Sequence, residues 1–212
     1  MTTPNVENKL SLKELGYKIC KESKPKERFI VGIVGPPGSG KTTVSKALAE
    51  NLDKSTKIVP MDGFHLDNKQ LRKRSLLHRK GAPETFDSVG FINLVTKLRR
   101  KKQIFYPKFD RKADRTLPKA DCITEATQII LLEGNYLLLK EPPWSDLKNL
   151  IDCTVWLEVN PKELQVRLIN RWIDHGMTST DAYKRVLEND MLNVLYVLEN
   201  SAAPDVKLDT YR

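Results

Sequence analysis

Apolar positions along the chain follow two spacings, and their alternation predicts the elements. Phe29–Val34, Gln128–Leu132 and Thr154–Val159 are short, nearly continuous apolar runs, the pattern of strands buried on both faces. Lys57–Met61 and Asp205–Leu208 add two shorter strands. Between them the spacing changes. Val44, Leu48 and Leu52 lie four apart with Ala47 and Ala49 between, which predicts a helix over Thr43–Leu52. Asp87 can cap a helix through Val89–Arg100 that puts Phe91, Ile92, Val95 and Leu98 on one side. Pro161 opens a helix to about Ile173, and Ser179 or Thr180 opens another that ends before Pro204. Asn5–Glu22 reads as a charged amphipathic helix, with Val6, Leu10, Leu12, Leu15 and Ile19 on its apolar side, packing outside the core. Gln103–Phe109 and Asp121–Thr124 pair as a strand excursion. Strands alternating with helices predict an α/β fold, three-layer α/β/α, with a mainly parallel sheet covered on both faces. Neither an internal repeat nor a linker divides residues 1–212, so one domain is expected, with residues 1–27 as an N-terminal helical extension.

Between the first strand and its helix stands Gly35-Pro36-Pro37-Gly38-Ser39-Gly40-Lys41-Thr42, which fits the P-loop pattern at every fixed position. Glycine-rich backbone can wrap a polyphosphate and aim N–H groups at its oxygens. Lys41 can place its charge on the β/γ-phosphates, and Thr42 can offer a hydroxyl to Mg²⁺. Thr43 continues the phosphate-facing helix N-terminus, whose partial positive charge favours the anion.

Two carboxylates share the rim where the strands end. Asp62, in Met61-Asp62-Gly63-Phe64-His65, can accept a proton from an incoming hydroxyl or hold Mg²⁺ water. An Asp-Gly pair also makes turns, but the shared rim favours chemistry. Glu133 closes the apolar strand Ile129–Leu132, where a buried charge needs a partner: a metal, or a lysine such as Lys41. Arg167 and Arg171 lie four apart on one helix face and suit a phosphate that gains charge on transfer. Arg111 and Arg115 line an acceptor pocket or sit on a solvated hairpin. His65 is an acceptor-pocket contact or a satisfied loop histidine. Neither it nor His78 has ligand partners at metal spacing, and His175 before Gly176 reads as a helix end.

Composition narrows the class. The chain is 40% hydrophobic and 30% charged, with no apolar run of membrane-spanning length. Met1–Lys9 lacks the apolar stretch of a secretory signal, and Cys20, Cys122 and Cys153 show no metal or disulfide spacing, so a cytoplasmic setting is expected. The net charge of +9 is compatible with nucleic acid, an acidic membrane surface or a phosphorylated small molecule. Its densest stretch, Lys69–Lys80, lacks the interleaved aromatics of a single-strand binder, so no nucleic-acid partner is expected. A solvated helix face and anion steering both stay open for it. The oligomeric state is open, a homodimer included.

With these segments in order the chain resembles the P-loop small-molecule kinases of the uridine kinase, phosphoribulokinase and bacterial pantothenate kinase group. Gly35–Thr43, Met61–His65, Glu133-Gly134, Arg167 and Arg171 carry the resemblance. Arg79–Asp87, Tyr106–Arg111 and Glu133-Gly134-Asn135-Tyr136 make it most similar to a nucleoside/fructose-type kinase-like branch. The resemblance implies ATP and Mg²⁺ as cofactors and a small-molecule hydroxyl acceptor. It implies Asp62 as the base or orienting group, and Arg171 with Arg167 as arginines of a lid over about residues 161–185. It makes His65, Arg111 and Tyr136 candidates for acceptor binding. Where such lids continue with arginines, this chain turns to Trp172-Ile173-Asp174-His175. The acceptor could be a nucleoside, a sugar or a pantothenate-like molecule. The alternative is a nucleotide-hydrolysing regulatory module without an acceptor; no guanine-selecting Asn-Lys-x-Asp run is present.

Overall fold

The computed structural model describes residues 9–52, 55–100 and 103–209. Strand β1 is Lys9–Leu10, followed by helix α1 (Leu12–Ser23), β2 (Phe29–Val34), α2 (Lys41–Asn51) and β3 (Thr56–Pro60). Then come α3 (Asn68–Lys73), α4 (Ser88–Leu98), β4 (Ile104–Asp110), β5 (Arg115–Ile123), β6 (Ile129–Gly134) and β7 (Cys153–Glu158). The chain closes with α5 (Pro161–Asp174), α6 (Ser179–Arg185), a π-helical turn at Val186–Asp190, α7 (Met191–Asn200) and β8 (Val206–Asp209).

Six strands form one sheet in the order β1-β8-β7-β2-β6-β3, and every pairing in it is parallel. The alternation of β2 divides the core. Ile30 and Val34 join Val59, Met61, Phe91 and Leu132 on one face. Val31 and Ile33 join Leu15, Ile19, Leu48 and Leu131 on the other. Both faces are covered, which is why these strands carry no polar alternation. No helix among the described residues is long and apolar enough to cross a membrane.

The N-terminal helix departs from expectation in start and position. Residues 5–8 of the predicted span lie outside the described residues. Ser11, not an earlier residue, caps α1: its hydroxyl accepts from the Glu14 N–H, while Glu14 Oε2 accepts from the Ser11 N–H at 2.8 Å. Leu15 and Ile19 are fully buried in the sheet's second core, so α1 packs on the sheet and not outside it. Leu15→Ala should therefore cost about 2–5 kcal/mol, read as a lowered urea midpoint; an unchanged midpoint would return the helix to the periphery.

The strand excursion is present and longer than its spacing suggested. β4 and β5 pair antiparallel from Ile104↔Ile123 to Asp110↔Arg115. Tyr106 anchors it to the sheet: its hydroxyl lies 3.0 Å from both the Ile58 carbonyl and Asp121 Oδ2.

Candidate active site

The rim at the carboxyl ends of β2, β3 and β6 brings the predicted groups together. Register sets this directly, because Ile33 and Pro60 both pair with Glu133, and Val34 pairs with Gly134. The chain leaves β2 into the P-loop, where Gly38 and Gly40 adopt φ of 81° and 89°, a region that disfavours side chains. Lys41 Nζ donates to the carbonyls of Gly35 and Pro36, each at 2.9 Å, and to Ser39 Oγ at 3.3 Å. Burial pulls its pKa down to about 8, against the opposing pull of Asp62 and Glu133.

Glu133 stands inside β6. Thr42 donates to its Oε1 at 3.1 Å, and its Oε2 is buried with no protein partner. Burial and the nearby Asp62 charge raise its pKa, partly offset by the Thr42 hydrogen bond. An orphaned, desolvated carboxylate oxygen beside a P-loop hydroxyl fits a hard cation, and Mg²⁺ needs only one or two carboxylates when phosphates supply other ligands. No group of three or more His, Cys, Asp or Glu able to hold a metal occurs among the described residues, so an ion here would need those phosphate oxygens.

Asp62 sits in the 3₁₀ turn Met61–Phe64 directly after β3. Arg111, at the tip of the β4–β5 hairpin, donates to its Oδ2. The hairpin reaches this turn because Gly63 lets it. A Cβ at Gly63 would lie 2.2 Å from the Pro107 carbonyl oxygen and 2.7 Å from its carbon. Backbone offers no easy relief, so Gly63→Ala should push the hairpin off the turn and destabilise the protein by about 1–3 kcal/mol or more. A thermal melt within a degree of wild type would contradict that contact.

Behind these groups lies a cavity of ≈ 380 Å³ lined from three directions. The P-loop contributes Lys41, Thr42 and Thr43; the middle segment contributes Asp62, His65, Lys80, Phe109 and Arg111; α5 contributes Arg167 and Arg171. Arg167 also donates to Glu163 Oε1 at 2.9 Å one turn earlier. His65 stacks on Phe86 with ring centroids 4.0 Å apart, and burial pushes its pKa down to about 4, so it is neutral at physiological pH. Lys80 donates to Asp114 Oδ1 and Asn68 Oδ1, both at 2.7 Å. The basic stretch thus splits: Arg72, Lys73 and Arg74 are exposed, whereas Lys80 faces the cavity.

Tyr136 is not where an acceptor contact would be. It is fully buried among Phe86 and Trp144, donates to the Gly81 carbonyl, and does not line the cavity. Its neighbour Asn135 does. A Tyr at the first turn beyond a buried strand has more apolar area to bury than its hydroxyl can hold at a polar wall. The wall also includes Trp172, Arg185, Asp190 and Asn193, which periodicity alone did not single out. Trp172 Nε1 donates to Asp190 Oδ2 at 2.5 Å, and the Arg185 guanidinium lies 4.1 Å over the Trp172 ring. Arg79 ties this wall to the middle segment through Asn189 Oδ1 at 2.8 Å and Asn193 Oδ1 at 3.2 Å. Asn189, Asp190 and Asn193 are buried polar groups of the run from Ser179 to Asn200, whose exposed side carries Lys184, Glu188 and Glu199; the π-helical turn at Val186–Asp190 hides them from 3.6-residue counting.

A P-loop on the central strand of a parallel sheet, with carboxylates on the adjoining strand ends, defines a nucleotide-binding P-loop protein of the kinase type. Residues 31–189 match the AAA domain family, and the chain belongs to it. A Schizosaccharomyces pombe protein provisionally named a uridine kinase is 33% identical over 95% of this chain and 92% of its own length. The ATP-dependent kinase YFH7 of Lachancea thermotolerans is 30% identical over 83% of this chain and 63% of its own length. Among solved structures, a Silicibacter sp. TM1040 protein provisionally described as a fructose transport system kinase superposes with a TM-score of 0.89 at 38% identity, covering 93% of this chain and 98% of that one.

Proposed function

We propose that this protein is an ATP-dependent kinase that moves the γ-phosphate to a hydroxyl of a small molecule. The observation that carries the reading is the convergence, on one strand rim, of a P-loop, the Asp62 carboxylate held by Arg111, and a cavity that both line. A switch that only hydrolyses nucleotide needs no wall beyond the phosphate site, whereas this cavity runs from the P-loop to His65, Lys80, Phe109 and Asn193.

On this reading the P-loop backbone from Gly35 to Gly40, with Lys41 and Thr43, holds the triphosphate. Thr42 and Glu133 would hold Mg²⁺, which would supply neutralisation of the phosphate charge. Asp62, aligned by Arg111, orients the acceptor hydroxyl and takes its proton as the oxygen bonds to the γ-phosphorus and the bond to ADP breaks. Arg171, with Arg167 beside it, faces the charge that builds on the transferring group. His65 offers a neutral ring to the acceptor, with Arg111 and Asn135 as polar contacts. Residues 1–212 act as one kinase domain in a cytoplasmic setting, and the helices from Pro161 to Arg185 act as a lid. The names of the relatives make nucleosides and sugars the first acceptors to try.

ATP consumption with and without a panel of nucleosides, sugars, sugar acids and pantothenate tests the reading. Stimulation by one acceptor class, with a product heavier by one phosphoryl group, supports it. Slow hydrolysis indifferent to every acceptor would select a regulatory nucleotide-hydrolysing module.

A further inference from the structure

α6, the π-helical turn and α7 form one helical run from Ser179 to Asn200. Its inner side is occupied: Val186, Val194 and Val197 are buried, and Asp190 and Asn193 line the cavity. Its outer side is unusual. Tyr183, Leu187, Leu192, Leu195 and Leu198 are 51, 41, 48, 44 and 36% exposed. Spacings of three to five residues keep these five groups on one stripe, where a surface helix ordinarily carries polar residues. Single exposed leucines are normal, but a contiguous stripe of five large apolar groups marks a contact surface.

The charges on the stripe indicate what covers it. Lys184, Glu188, Leu192, Leu195 and Glu199 follow one another along one edge at helical spacing. Lys184 stands at the N-terminal end and Glu199 at the C-terminal end. Lys184 and Glu188 lie 4.0 Å apart and are each about two-thirds exposed, so neither is committed to the protein interior. Two copies of such a stripe, packed antiparallel about a two-fold axis, lay leucine on leucine and set Lys184 of each copy against the opposite end of the other, where Glu199 stands. A two-fold contact of this kind makes every favourable pair twice. An anionic membrane is a poorer match, because a lipid-facing helix flanks its apolar face with Lys and Arg, and here Glu188 and Glu199 stand on that edge.

We infer that the outer face of the Ser179–Asn200 run is a homodimer interface, with a second copy of this chain packed antiparallel on it. The inner face of the same run supplies Asp190 and Asn193 to the cavity wall, so the contact would brace that wall. The inference does not depend on the phosphoryl-transfer reading.

Sedimentation velocity of the full chain over a wide concentration range tests it. A dimer is expected for the wild type. Leu187→Glu with Leu195→Glu should give a monomer whose circular dichroism spectrum and melting cooperativity are those of a folded chain. Glu199→Lys alone should raise the dimer dissociation constant about tenfold by setting like charges together, and adding Lys184→Glu should restore it. A wild-type monomer at all concentrations, including one that uses the stripe to bind phospholipid vesicles, overturns the inference. So does a dimer indifferent to the two glutamates, or a charge reversal that the second substitution fails to rescue.

Discussion

Asp62→Asn should lower phosphoryl transfer by about 10²–10⁴-fold while leaving ATP affinity within a few-fold of wild type. The substitution keeps size and shape but removes the group that accepts the acceptor's proton. It also removes the charge that Arg111 holds in place from the hairpin tip. The P-loop keeps its hydrogen bonds, since Lys41 donates to Gly35, Pro36 and Ser39 and not to Asp62, although loss of the Asp62 charge lowers the Lys41 pKa further. Steady-state rates with a responsive acceptor, beside nucleotide binding by calorimetry, separate the two effects. Near-wild-type turnover would remove Asp62 from the chemistry. Loss of nucleotide affinity in step with turnover would make it a structural partner of the phosphate site.

Lys41→Met should damage both quantities, because one charge serves ground state and transition state alike. A loss of about 10²–10³-fold in turnover is expected, with weakened ATP binding. The wild type carries a pH signature of the same group. Burial holds the free-enzyme pKa of Lys41 at about 8, so its charge is present below that value and lost as pH rises through it. The kcat/KM for ATP should accordingly fall on the alkaline side near pH 8. Lys41→Arg keeps its charge through that window, so its alkaline limb should move upward even as its planar fork lowers the rate. Identical alkaline limbs in wild type and Lys41→Arg would assign the ionisation elsewhere.

Much of this is legible in the sequence. β2, β6 and β7 announced themselves because a strand buried on both faces has no polar positions to blur the pattern. The P-loop announced itself because phosphate wrapping constrains glycine, lysine and hydroxyl at fixed spacing. The losses have physical causes. β1 is two residues long, and its partner β8 lies almost two hundred residues away, so no local pattern encodes the pairing. The sequence points α1 to the periphery because its charged side is conspicuous, while the burial of Leu15 and Ile19 depends on a sheet face assembled from distant strands. The family resemblance makes Tyr136 a candidate for acceptor binding, yet an aromatic cluster with Phe86 and Trp144 claims its ring. Asp190 and Asn193 escape 3.6-residue counting because the π-helical turn at Val186–Asp190 resets the phase of the helix before Met191, and Arg185 reads as an ordinary cation in the last turn of α6.

The central claim is that the γ-phosphoryl group goes to an organic hydroxyl and not to water. Incubation with ATP labelled in the γ-phosphate, plus the acceptor that most stimulates turnover, tests it most directly. The account predicts that the label appears in the phosphorylated acceptor, in one-to-one amount with ADP, and that Asp62→Asn removes that product. Label recovered only as inorganic phosphate, with or without an acceptor present, would contradict it.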